Sequence, residues 1–102
     1  MRVQNVALNN GPEVAGVRIT EVKVREPSAG ELRGLSIGAI ATMDVAAMIR
    51  LLPRITEPAL SAAQIEALGA YDFGELAGRA AGFFMTAPQE EEAATPPLSP
   101  TE

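Results

Sequence analysis

The sequence contains no cysteine, no histidine and no tryptophan. Their joint absence removes disulfides, thiolate nucleophiles, imidazole bases and the usual zinc ligands. Aromatic residues are scarce, three phenylalanines and one tyrosine, so a core has to be built from Leu, Ile, Val and Met. A chain of 102 residues holds one domain at most. A domain of that size buries somewhat over about 60% of its unfolded surface, which leaves stability marginal. No apolar run approaches the roughly 18 residues that cross a bilayer. The opening MRVQNVAL is too short and too polar for a secretory signal, so a soluble, intracellular protein is expected. A basic stripe is also missing. Residues 1–86 hold all eight basic and nine of the thirteen acidic residues, and residues 87–102 hold the other four acids. That balance opposes nucleic-acid binding.

Chemistry is equally thin. Ser28 and Ser61 have no histidine or lysine at motif spacing, G-A-Y-D-F-G lacks the Lys-Ser/Thr of a phosphate loop, and no D-x-D-x-D-G cation loop occurs. Asp44, Asp72 and Glu75 read as helix-end residues rather than as ligands. The expectation is a protein that is not an enzyme and carries no cofactor or metal.

What is present is concentrated in residues 17–35, VRITEVKVREPSAGELRGL. Val17, Ile19, Val22 and Val24 suit a half-buried strand, and the change of parity between Ile19 and Val22 predicts a bulge at Thr20–Glu21. Pro27 ends the strand, and Ser28 with Glu31 has the spacing of a capping box. Upstream, residues 2–8 form a weaker strand, and the turn-rich Asn9-Asn10-Gly11-Pro12 closes a hairpin. Lys23 and Arg25 discourage promiscuous pairing if this strand lies at an edge.

Helices follow. Val45, Met48, Ile49 and Leu52 make an amphipathic stripe, capped by Thr42 with Asp44 in the first turn, and ended by Pro53. Residues 54–60 read as a loop. Ser61 and Gln64 form a second capping box, with Gly69 as a left-handed stop. Asp72 and Glu75 repeat the cap spacing before a helix from Phe73 to about Met85, striped by Phe73, Leu76, Ala77, Ala80, Phe83 and Phe84. Gly74, Gly78 and Gly82 recur every fourth residue, which fits either close packing or a helix ordered only on binding. Residues 87–102, acidic and proline-rich, are expected to be disordered. The fold class is thus α+β: an N-terminal β-hairpin, three or four short α-helices over residues 1–86, and a disordered acidic tail.

Arg25, Pro27, Gly30, Leu32, Arg33, Gly34 and Leu35, read as R-x-P-x-x-G-x-L-R-G-L after an I-x-x-V-x-V strand, resemble the signature of the small phage tail assembly chaperones of long-tailed bacteriophages. The resemblance extends to the Leu-Pro-Arg-Ile-Thr run at residues 52–56 and to Asp72 as the later aspartate of the family pattern. It implies a factor that binds the tape measure protein, keeps its helices soluble, and is not part of the mature virion. It also implies a tail tube protein as a possible second partner, through a longer frameshifted form in some members, and action in the host cell cytoplasm. Apart from the resemblance, self-association is left open as a further partner. Leu76, Phe83, Phe84 and Met85 are the expected client-binding face. Competing readings are a small tail or baseplate subunit whose hairpin joins a neighbour's sheet, and a host-directed regulator.

Overall fold

The structure, a computed structural model, describes residues 2–85. The acidic segment expected over 87–102 lies outside the described residues. In chain order the elements are β1 (Val3–Ala7), β2 (Glu13–Val14), β3 (Val17–Arg18), β4 (Glu21–Arg25), a 3₁₀ turn (Ala29–Leu32), α1 (Ile37–Ala41), α2 (Val45–Ile55), β5 (Thr56–Glu57), α3 (Ala62–Glu66) and α4 (Ala70–Met85). This is the α+β class expected from the sequence, with α4 longer than the helices around it. No helix among the described residues is long and apolar enough to cross a membrane.

β4 is the middle strand of an antiparallel sheet ordered β1-β4-β5. Lys23 and Arg25 therefore do not guard an edge, as their sequence position suggested. Their neighbour β5 comes from the stretch read as a loop: two residues, too short for any periodicity, pair Lys23 with Glu57 and Val24 with Thr56. The inner face carries Val6, Val22 and Val24, all buried, under α2 and α4. The outer face is solvated.

The irregularity predicted at Thr20–Glu21 exists, but the partner strand carries the extra residues. Ala7 pairs with Glu21 and Glu13 with Arg18, so the five residues 8–12 stand opposite only Ile19 and Thr20. Leu8 N–H donates to the Thr20 carbonyl at 2.9 Å, and Ile19 N–H to that of Pro12 at 2.8 Å. These bonds pin both ends of an excursion through Asn9, Asn10 and Gly11. Gly11 is buried there, and a Cβ on it would stand 1.9 Å from the Ile19 carbonyl oxygen. Only glycine fits such an approach. Beyond it β2 and β3 close on Ala15 and Gly16, both at positive φ, as a two-residue hairpin turn requires.

The helices begin where short polar side chains can cap them. Ser36 caps α1 through Ala39 N–H at 3.3 Å. Asp44 caps α2 through Ala47 N–H at 3.0 Å. Thr42, the cap expected from the sequence, ends α1 instead, its hydroxyl donating to the Gly38 carbonyl, and Asp44, expected in the first turn, takes the capping position. Both halves of the Ser61–Gln64 box are formed, at 2.8 and 3.1 Å. Gly69 does not stop α3 in a left-handed conformation; its carbonyl accepts the Phe73 N–H at the entry to α4. Pro53 does not end α2, which runs on to Ile55. An interior proline costs about 3 kcal/mol, and burial of Ile55 returns about 1.5–3 kcal/mol of it.

α4 lies antiparallel to β1 and is bonded to it at three levels. At its start the Asp72 carboxylate, only 2% exposed, accepts Asn9 and Asn10 N–H, each at 2.9 Å. Midway, Arg79 donates to Gln4 at 2.9 Å. At its end Arg2 donates to the Phe83 carbonyl at 2.9 Å and stacks over the Phe83 ring. Asp72 is thus in the first turn of a helix that begins at Ala70, and it caps the strand excursion rather than its own helix. Replacing it by alanine orphans two amides at once. Asp72→Ala should lose about 2–4 kcal/mol in urea denaturation. Glu75→Ala, which removes only an exposed pair with Arg79, should stay within about 0.5 kcal/mol of the parent. Equal losses for the two would show that the Asp72 bonds do not hold α4 in place.

Candidate interaction surface

The residues that carried the resemblance gather where β4, the 3₁₀ turn and the end of α2 meet. Arg25 holds the Glu31 carboxylate with both Nη atoms, one at 2.7 Å, and also donates to the Arg54 carbonyl at 2.8 Å. Arg54 returns two bonds, to the Glu31 and Arg33 carbonyls at 2.7 and 3.1 Å. Glu31 further accepts Ser28 N–H at 2.9 Å, the half of the capping box that belongs to Glu31. Pro27 is buried where the strand stops, and Leu32 and Leu35 pack against the core. Gly34 has φ +81°, a left-handed turn that accounts for a glycine there. Nothing in the structure explains Gly30. The Arg33 side chain is exposed and makes no hydrogen bond or ion pair among the described residues. The motif is therefore mostly a joint, with one guanidinium left outward.

The four residues expected to form a client-binding face do not form an open surface. Leu76 is fully buried and Phe83 is 8% exposed, both inside the core. Phe84 is half-buried against it, and Met85 alone is exposed, at 67%. The stripe on α4 is the face this helix spends on its own domain.

Open apolar surface lies at the other end of α4. Val45 and Ile49 of α2, Ile65 of α3, Leu68, and Ala70 and Phe73 of α4 line a groove of about 280 Å³, with Glu66 beside them. Val45 is 58% exposed. It opened the stripe read from the sequence, but the buried side of α2 is turned from that reading. Ala47, Met48, Leu51, Leu52 and Ile55 face the core, leaving Val45 outside and Ile49 half-covered. The exposure of Val45 and the half-burial of Ile49 create the groove, which the four-residue stripe read from the sequence did not signal. Such a groove can take an apolar helix face. It offers no bond-making chemistry, and among the described residues no group of three carboxylates could hold a metal ion.

Comparison with known proteins agrees with the motif. The model of the family described as phage tail assembly chaperone proteins, E, or 41 or 14, matches residues 5–85. The chain is 40% identical over 84 residues to tail assembly protein E of Escherichia phage P2, covering 81% of this chain and 92% of that protein. It is also 40% identical over 86 residues to tail assembly protein E′ of the same phage, covering 83% of this chain but 61% of that protein's length. No solved structure matches the chain.

The motif joint has a measurable electrostatic signature. The Arg25 guanidinium, and after it the Ser28 amide, hold the Glu31 carboxyl down at about 2 against an ordinary value of 4.5. Arg2 lowers Glu26 in the same direction. Because the folded value lies below the unfolded one, the stability Glu31 contributes is complete above about pH 4.5 and is lost as pH falls toward 2. Glu31→Gln should therefore be less stable than the parent at neutral pH and converge with it as the pH approaches 2, in denaturant titrations at stepped pH. A gap that stays constant across that window would rule the pair out as its source.

Proposed function

The chain belongs to the phage tail assembly chaperone family, and on that premise we propose that it binds the tape measure protein during tail assembly. Its action lies in the host cell cytoplasm, where it keeps apolar helical segments of that client soluble while tail tube subunits are recruited, and it is absent from the finished virion. It does this by binding alone, without catalysis. The observation that supports a binding site is the groove between α2, α3 and the start of α4, an apolar surface the domain leaves open although its core is otherwise closed. A client helix laying a leucine or two into it would gain about 1.5–3 kcal/mol per side chain. That suits reversible holding better than permanent assembly.

Co-expression of tagged chain with the tape measure protein tests this. Val45→Asp places a charge on the groove at the first turn of α2, where a carboxylate favours the helix, so the fold is retained. It should cut co-purified tape measure protein about tenfold, the roughly 1.4 kcal/mol that one lost apolar contact represents. Met85→Ser, at the far end of α4, should leave recovery near the parent level. Undiminished recovery with Val45→Asp would remove the groove from the interface. Detection of the chain in purified virions by mass spectrometry would instead favour a structural tail subunit.

A further inference from the structure

Among the described residues β1 is an open sheet edge, and we propose that it pairs antiparallel with β1 of a second copy of this chain, the two α4 helices meeting beneath the joined sheet. The direction of the backbone groups follows from the ladder. Glu26 N–H donates to the Arg2 carbonyl at 2.7 Å and Leu8 N–H to that of Thr20 at 2.9 Å. With Gln4 opposite Val24 and Val6 opposite Val22, the even residues bond to β4. Val3, Asn5 and Ala7 then direct their N–H and C=O groups outward, and these have no partner among the described residues. Edge strands are normally blunted by lysine, proline or a bulge. β1 reads VQNVA in unbroken register, without charge or proline.

A second, separate feature lies on the same side. Gln4 shares the inner face with Val6 and Leu8 yet is exposed. Beside it lies a cleft of about 200 Å³ lined by Arg2, Gln4, Gly78, Arg79, Gly82 and Phe83, with the Arg79–Gln4 hydrogen bond crossing it. A Cβ added at Gly74, Gly78 or Gly82 would meet nothing within 4 Å. The tight internal packing that the glycine spacing suggested is absent among the described residues, none of which would meet a side chain at Gly78.

A second copy fits both features. A two-fold through Asn5 sets Asn5 against its equivalent and Val3 against Ala7, so the strand pair apposes no like charges, and the two Arg79 side chains that approach beside it each keep their Gln4 and Glu75 partners. A five-residue strand pair by itself buries less than the roughly 1,000 Å² a specific interface needs, so the helices must contribute. α4 packs against both β1 and β4. A helix under their midline lies one strand spacing, about 4.8 Å, from the two-fold. The helix axes would then be about 10 Å apart, at the outer end of the 8–10 Å range of packed helices. Side chains larger than glycine at 78 and 82 would occupy that gap.

The chain has no cysteine, so single-cysteine variants of the full chain report the pairing directly. Directly opposed residues in a hydrogen-bonded antiparallel pair have Cα atoms about 5.5 Å apart, inside the range a disulfide bridges. Asn5→Cys should convert mostly to covalent dimer under mild oxidation, at a concentration where Glu66→Cys, in the groove, does not. In sedimentation velocity, Gly78→Leu should weaken dimerisation at least tenfold although leucine is the better helix former. Asn5→Pro, which removes one outward N–H, should do the same, and Asn5→Lys replaces it if circular dichroism shows that the proline variant is unfolded. Val45→Asp should dimerise as the parent does, which separates this inference from the client groove. A parent chain monomeric at all concentrations, Asn5→Cys crosslinking no faster than Glu66→Cys, or a dimer indifferent to Gly78→Leu would each overturn it.

Discussion

A single buried carboxylate fixes where the first turn of α4 meets the N-terminal hairpin. Asp72 is nearly inaccessible, and an unpaired charge in that position would cost several kcal/mol. It is tolerated because two backbone amides, 62 and 63 residues earlier in the chain, point at it. Those amides exist only because the N-terminal strand carries extra residues, and the extra residues are accommodated only because Gly11 can press against the Ile19 carbonyl. Hairpin irregularity, glycine and carboxylate therefore form one unit. None has a purpose without the others.

A domain with so few aromatics needs other means of fixing its layers. Arginine serves here. Arg2 joins the start of β1 to the last turn of α4, Arg79 joins the middle of both, and Arg25 with Arg54 ties β4 to the 3₁₀ turn and the end of α2. Three of the four reach backbone carbonyls, where a planar fork can span two elements without a matching side chain. Most are partly solvated, so each bond is modest. Together they set where the helices lie over a sheet of only three strands.

Local chemistry was legible in the sequence to the extent that its consequences stayed local. The Ser61–Gln64 box closes over three residues and was readable from its spacing alone. The spacing of Asp72 and Glu75 is the same, yet Asp72 bonds to another element, which no local pattern can report. α2 shows the same limit. Its apolar residues cover so much of the helix that Val45 and Leu51 compete to define the inner face, and the choice is made by β4, α3 and α4 packing against it. Pro53 was misjudged because burial of Ile55, two residues on, offsets much of what an interior proline costs. β5 was missed because two residues have no period. Leu76 and Phe83 of the expected client face are buried for a related reason: they are conspicuous as large apolar groups in an alanine-rich helix, and a small core needs such groups first.

That competition for apolar side chains also decides where open surface can occur. α4 has its inner stripe committed to the core, one flank laid along β1, and its first turn locked by Asp72. What remains is its beginning, beside α2 and α3, where Phe73 is half-covered, and the glycine flank, where there are no side chains to cover. These two surfaces differ in chemistry and lie on different parts of the helix. One offers apolar side chains without free backbone groups. The other, with the edge of β1, offers free backbone groups almost without side chains. A partner recognised through apolar helix packing has no use for the second, and a strand seeking hydrogen bonds gains nothing from the first. The domain can thus present both at once, and loss of either leaves the Asp72 joint beneath them unchanged.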